Sequence, residues 1–185
     1  MSKIILGFTG LMASGKDVSK IYLEEKYGAK SFRFSTVMRE ILNRLHLEIS
    51  RPNLTKVSFC LRQTFGEDLF AKVIANDVAS EEAPLIVVDG IRRLADIEYL
   101  KKIPGFHLIS LEADPKIRYE RAVKRNENVG DREKTFEQFL LDHQKLETEV
   151  TIPAVMAQAE FIIKNEGSLE DLYAQIEKIM ATLKK

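Results

Sequence analysis

Gly10-Leu11-Met12-Ala13-Ser14-Gly15-Lys16 is the stretch on which the reading of this chain turns. It fits the pattern G-x-x-x-x-G-K. The residues before it, Lys3 to Phe8, are mostly aliphatic, as a central strand buried on both faces should be. The residues after it predict a helix from about Gly15 to Tyr27, with Val18, Ile21 and Tyr22 on one face and Gly28 as its stop. A strand, a glycine loop and a helix in that order make an anion cradle. Glycines let the backbone curl so that successive N–H groups point inward at phosphate oxygens. The helix contributes its unpaired N–H groups and the positive end of its dipole. Lys16 extends from the loop as a point charge able to reach the β- and γ-phosphates of a nucleoside triphosphate.

The rest of the chain fits the fold that such a loop implies. Short β-rich runs at Ser31–Phe34, Leu85–Val88, Phe106–Leu111 and Ala159–Lys164 join the first strand and alternate with helical patterns. Alternation of that kind predicts an α/β protein of the P-loop NTPase type, a central five-stranded parallel sheet with helices on both faces. Helical residues are in excess in two places. Val37, Met38, Ile41, Leu42 and Leu45 follow a helical period, Pro52 breaks that block, and further helices are expected over Leu54–Phe65 and about Asp68–Val78. A helix start at Asp114-Pro115 opens the second excess, and Ser168-Leu169-Glu170-Asp171 reads as a capping box before the last helix. The two insertions, about 35–83 and about 116–150, are where an acceptor-binding region and a lid would sit in a single domain spanning 1–185.

Two carboxylates stand where a divalent cation would be needed. Asp17 follows the loop lysine, where Ser or Thr usually offers a hydroxyl to magnesium, and a carboxylate is a good ligand for that hard ion. Asp89 ends the Leu85–Val88 run, at the sheet edge where ligands bind in open α/β folds. ATP and Mg2+ are therefore the expected cofactors, with Gly10 through Asp17 holding the phosphates.

Arginines supply the charge that phosphoryl transfer requires, because charge develops on the moving oxygens. Arg121 and Arg125 lie four apart on one helix, and Arg132 follows in the loop-like stretch from Asn126. Together with Lys16 they are the expected catalytic cations, in a lid over the triphosphate to which Arg118, after the same strand, also belongs. Glu120, Glu127, Asp131 and Glu133 offer the competing arrangement, a solvated charged helix. Arg39, Arg62, Arg92 and Arg93 come from separate elements and suit an anionic acceptor. A phosphate acceptor needs no strong base, whereas a hydroxyl would favour a nearby carboxylate. The segment Ser35-Thr36-Val37-Met38-Arg39 has no acidic residue until Glu40, which favours a phosphate.

Composition narrows the alternatives. With 45% apolar and 30% charged residues, and 28 basic against 28 acidic, the chain matches a soluble globular protein without a dedicated nucleic-acid or membrane face. No apolar run is long enough to span a bilayer, and the N-terminus lacks the form of a signal peptide. Cys60, alone, forms no internal disulfide and is expected as a small buried residue in a cytoplasmic protein. His46, His107 and His143 show no metal-ligand spacing. No protein partner is expected.

Across nearly its whole length the chain resembles the nucleoside monophosphate kinase branch of P-loop kinases. Gly7-Phe8-Thr9-Gly10 leading into Ser14-Gly15-Lys16-Asp17 is similar to the loop of viral deoxynucleoside monophosphate kinases, and animal-type phosphomevalonate kinases share the Asp variant. Ser35-Thr36 with Met38-Arg39-Glu40 resembles the adenylate kinase segment whose arginine grips the acceptor phosphate. Asp89-Gly90-Ile91-Arg92-Arg93 is similar to their Asp-Gly-x-x-Arg segment, which implies Asp89 at the magnesium site and Arg93 on the acceptor. From Asp114 to Asp171 the chain resembles dephospho-coenzyme A kinases and related archaeal P-loop proteins, and Asn165-Glu166-Gly167-Ser168 resembles their adenine-side turn, which implies Asn165 and Gly167 beside ATP. It departs from adenylate kinases at Asp17 and Arg92, and from dephospho-coenzyme A kinases in lacking an acid after the second strand. The resemblance implies transfer from ATP to a nucleoside or deoxynucleoside monophosphate, with dephospho-coenzyme A or phosphomevalonate as alternative acceptors. A P-loop ATPase or nucleotide-sensing module is the alternative of another class.

Overall fold

β1 (Ile4–Thr9) runs through the middle of the sheet, flanked by β3 (Leu85–Asp89) and β4 (Phe106–Glu112), with β2 (Lys30–Arg33) and β5 (Phe161–Lys164) at the edges. The order is β2-β3-β1-β4-β5, and every pairing is parallel. These relations come from a computed structural model that describes residues 3–125, 135–145 and 147–184. Along the chain the helices are α1 (Lys16–Tyr27), α2 (Ser35–Arg44), α3 (Arg51–Phe65), α4 (Leu69–Ser80), α5 (Leu94–Glu98), α6 (Pro115–Arg125), α7 (Phe136–Lys145), α8 (Glu147–Val150), α9 (Ile152–Met156) and α10 (Leu169–Leu183). The expected five-stranded α/β architecture is the one observed.

Alternation within the central strands feeds two cores. Ile5, Ile86, Val88 and Leu108 point to one side, where Phe70, Ile74 and Val78 of α4 and Val155 of α9 cover them. Leu6, Phe8, Val87, Ile109 and Leu111 point to the other, against Leu23 of α1 and Leu172 and Ile176 of α10. Every residue of β3 is buried, which is why its sequence is nearly continuous aliphatic. The α1–α10 pair is locked further by Tyr22 stacked on Tyr173 at 4.0 Å and by Glu177, which accepts from the hydroxyls of Tyr22 and Tyr27 at 2.8 Å each. No helix among the described residues is long and apolar enough to cross a membrane.

Several local expectations are corrected. The buried residues of α1 are Ser19 and Leu23, while Val18 and Ile21 are 36% and 46% exposed. Ser19 is tolerated inside because its hydroxyl donates to the Gly15 carbonyl at 3.1 Å. Pro52 starts α3 near its first position, where its missing N–H costs nothing, and the helix therefore begins at Arg51, before the expected Leu54. Leu45 caps α2 and stays 59% exposed, leaving Leu42 as the residue that α2 buries. Cys60 is exposed, because Leu61 and Arg62 are the residues that α3 turns toward the protein there. The last strand starts at Phe161, since the Ala159 amide closes the α9 turn on the Met156 carbonyl at 3.0 Å. The capping box at Ser168 forms as expected, with Ser168 Oγ accepting from the Asp171 amide.

Candidate active site

The glycine loop bends where β1 meets α1, and each anchor is a specific steric demand. Gly10 has φ 147° and lies so close to the Leu111 carbonyl that a Cβ would collide with it. Gly15 has φ 109° and is packed against the side-chain amide of Asn165. Between them Ala13 sits at φ 60°, a left-handed conformation that costs a non-glycine residue about 1–2 kcal/mol and turns the backbone of the loop. Thr9 ties the entry to the loop by donating its hydroxyl to the Ile91 carbonyl at 3.1 Å. Asn165 ties the exit, donating its amide to the Ser14 carbonyl at 2.9 Å.

Lys16 folds back over this loop and donates to the Gly10 and Leu11 carbonyls at 2.6 and 3.0 Å. Burial holds its ammonium below the usual lysine range. Asp89, Glu149 and Asp17 oppose that shift, and Arg92 adds to it. The two carboxylates expected to serve a cation thus both act on the loop lysine. Asp89 is 3% exposed and accepts from the Gly90 amide at 2.7 Å, with Arg33 at 3.8 Å. Asp17 is half exposed and meets Arg125 at 2.9 Å. No group of three or more His, Cys, Asp or Glu among the described residues is arranged to hold a metal. Two hard oxygen donors near a phosphate cradle do fit magnesium, which keeps several waters and shares its remaining positions with phosphate oxygens. Asp17→Ala is therefore expected to raise the magnesium concentration for half-maximal activity about tenfold. It should leave the melting temperature nearly unchanged, because an exposed pair such as Asp17–Arg125 contributes only about 0–1 kcal/mol. A magnesium titration of the variant checks this, and an unchanged titration would reduce Asp17 to a helix-end charge.

Beside the loop lies a cavity of about 340 Å3, lined by Gly15, Val18, Arg121, Asn165, Gly167 and Leu172 among others. The expected adenine-side turn is thus at a cavity wall, and exposed Val18 has its explanation there. Arg121 donates to the backbone and side-chain oxygens of Asn165 at 2.9 and 3.3 Å, so it braces this wall beside Gly15. Arg125 does reach the loop region, through Asp17. Arg132 lies outside the described residues.

The four arginines expected at an acceptor have separate fates. Arg62 is 8% exposed, sits beside Asp96 at 3.6 Å, lies over the Phe70 ring at 4.9 Å and donates to the Glu67 carbonyl. Those engagements tie it into the packing of α3, α4 and α5. Arg93 pairs with Glu67 at 2.9 Å, and Arg92 pairs with Glu149 at 3.2 Å. Arg39 shares with Arg62 a buried Nε without a hydrogen-bond partner among the described residues, but unlike the other three it enters no ion pair there, and Ser35 Oγ one turn earlier on α2 is likewise buried and unpartnered.

Two further residues meet the loop, Arg118, expected with the lid arginines, and Glu149, which was not anticipated. Arg118 is buried, donates to the Ala113 and Met12 carbonyls at 3.1 and 3.4 Å, and lies over the Phe139 ring. Glu149, 3% exposed, accepts from the Met12 amide at 3.4 Å. Glu149 has no local sequence signal, since it meets the loop across 137 residues of chain.

No protein-family model matches the chain. In sequence it is similar to a UPF0200 protein of Saccharolobus solfataricus, 30% identical over 181 residues that cover 96% of this chain and 92% of the relative. A UPF0200 protein of Hyperthermus butylicus is 27% identical over 183 residues, covering 98% and 95%. Among solved structures, TT1252 from Thermus thermophilus superposes with a TM-score of 0.66 at 19% identity, covering 99% of each chain. A gluconokinase from Sinorhizobium meliloti gives 0.60 at 13%, covering 98% of this chain and 93% of that one. A shikimate kinase from Bacteroides thetaiotaomicron gives 0.59 at 16%, covering 98% and 99%. At these identities the structural likeness speaks to the fold, which is that of P-loop kinases.

Proposed function

Because this chain belongs to the UPF0200 family and has the fold of P-loop kinases, we propose that it is an ATP- and magnesium-dependent phosphotransferase acting on a small phosphorylated acceptor. Nucleoside and deoxynucleoside monophosphates are the first acceptors to test, followed by dephospho-coenzyme A and phosphomevalonate. The observation that carries the reading is the junction at Gly15, which belongs both to the phosphate loop and to the 340 Å3 cavity beside it. A base in that cavity would place a triphosphate along Gly10 to Lys16. Asp17 and Asp89 would hold the magnesium, directly or through water, and the ion would spread positive charge over the β- and γ-oxygens.

In this reading the α2–α4 region, within about 35–83, receives the acceptor, and α6–α8, within about 116–150, forms the lid. Arg39 is the acceptor residue best supported, because a buried guanidinium donor without a partner is costly unless an anion meets it. Ser35 Oγ, four residues earlier on the same face, offers a second donor. Arg39→Ala is expected to raise the acceptor KM about tenfold or more while leaving ATP binding nearly untouched, since a charge-assisted contact is worth about 1.5–3 kcal/mol. Equal weakening of both substrates, or of neither, would displace the acceptor site from α2.

The test of the whole reading is ADP formation from ATP and magnesium, with and without a panel of monophosphates. Turnover that depends on an acceptor supports a kinase. Turnover that ignores every acceptor supports a P-loop ATPase or a nucleotide-sensing module.

A further inference from the structure

The cradle of this structure holds an anion of its own. Glu149 is on the four-residue helix α8, far along the chain from the loop, yet its carboxylate is buried against it. One oxygen accepts from the Met12 amide at 3.4 Å and the other meets Arg92 at 3.2 Å. Its charge also acts on two further cations, Lys16 and the buried Arg118. An inward N–H of a phosphate loop, a loop lysine and two arginines form the surroundings that a terminal phosphate requires. A carboxylate has the same planar oxygens and negative charge as one edge of a phosphate. Buried carboxylates need such partners to remain ionised, so the arrangement is self-consistent while the loop carries no other anion.

We propose that Glu149 marks the subsite of the nucleotide's terminal phosphate and is displaced by it, so that ATP, unlike ADP, releases α8 from the loop. The inference rests on the phosphotransferase reading and deepens it in two respects. Arg92, expected on the acceptor side, becomes a ligand of the terminal phosphate, and Arg118 joins it as a buried support of the loop. Binding of ATP also becomes coupled to the lid segment, because two anions cannot share one N–H and one guanidinium at this range. The repulsion would drive α8, a helix of four residues, away from the loop. Val150, the next residue, is 54% exposed. After transfer the departing phosphoryl group would empty the subsite and let the carboxylate return.

The test compares ATP and ADP binding by calorimetry, with magnesium and without acceptor, in the native protein and in Glu149→Gln. Glutamine keeps the shape and removes the charge that competes. ATP is expected to bind about tenfold more tightly to the variant, equivalent to about 1.4 kcal/mol. ADP, which lacks the group that competes with Glu149, should change less than about threefold. Glu149→Asp, which retains the charge, should stay near the native ATP affinity. Unchanged or weaker ATP binding by Glu149→Gln would overturn the displacement, and so would equal tightening of ATP and ADP. A second measurement needs no variant. Hydrogen exchange across residues 147–150 should be faster with a non-hydrolysable ATP analogue than with ADP, and equal protection would overturn the proposal even if Glu149→Gln failed to fold. Failure of the native protein to bind either nucleotide would instead remove the phosphotransferase reading itself.

Discussion

Lys16→Ala is expected to lower the rate of phosphoryl transfer about a hundredfold to a thousandfold, with little change in melting temperature. The two halves of that expectation come from different facts. Catalysis in phosphoryl transfer is positioning plus charge stabilisation, and removing one preorganised donor at a developing charge costs about 2.7–4 kcal/mol. Lys16 carries the only side-chain charge within the loop Gly10–Lys16, so no neighbour in that stretch substitutes for it. Its hydrogen bonds in the present structure go to the Gly10 and Leu11 carbonyls of its own loop, and none joins it to another element. Burial already depresses the Lys16 ammonium, so the fold gains little from that charge. The loop geometry itself depends on Gly10, Gly15 and the Asn165 amide and not on the lysine. Single-turnover rates and thermal melts on the same preparation check both halves. A variant with native kcat would remove the phosphate-loop argument entirely.

The sequence made the loop and sheet legible for one physical reason, that both are written in contiguous residues. A buried strand, glycines with positive φ and a helix start occupy consecutive positions, and each leaves a mark on composition. The same holds for the Ser168–Asp171 box and for Asp89 at the end of β3. What depends on distant partners was not legible. Arg62 and Arg39 look alike in sequence, each an arginine on a helix after the second strand, and both bury an unpartnered Nε, yet Asp96 pairs with one and no carboxylate among the described residues pairs with the other. Arg121 was assigned by its spacing from Arg125, but the oxygens that orient it belong to Asn165, on the far side of the lid segment. Glu149 lay in a stretch with several acidic residues and nothing local to single it out. The surface of α1 misled for a related reason. Val18 is apolar because it lines a cavity, whereas the helix reaches its core through Ser19 and Leu23.

Arg62→Ala is expected to destabilise the fold by about 3–5 kcal/mol, the usual result of removing one partner from a buried ion pair. For a chain of this length that corresponds to a fall in melting temperature of roughly 10 °C. Asp96 makes the effect large. It is 2% exposed, and its Oδ2 already accepts from the Arg92 and Arg93 amides at 3.0 and 2.9 Å, fixing the start of α5. Its Oδ1 has no hydrogen-bond partner among the described residues and has Arg62 at 3.6 Å to balance it. Deleting the guanidinium would leave that oxygen buried and charged, and would also uncover the Phe70 face on which it lies. Burial lowers the proton affinity of Arg62 and Asp96 offsets only part of that, so the carboxylate is the partner that keeps the buried charge tolerable. Arg93→Ala provides the contrast. Its partner Glu67 is 68% exposed and returns to water, so the Arg93–Glu67 pair itself should contribute less than about 1 kcal/mol. Thermal melts of the two variants, read beside acceptor kinetics, decide whether Arg62 is structural. A normal melting temperature with a raised acceptor KM for Arg62→Ala would return that arginine to the acceptor site and undo its assignment to the α3–α5 core.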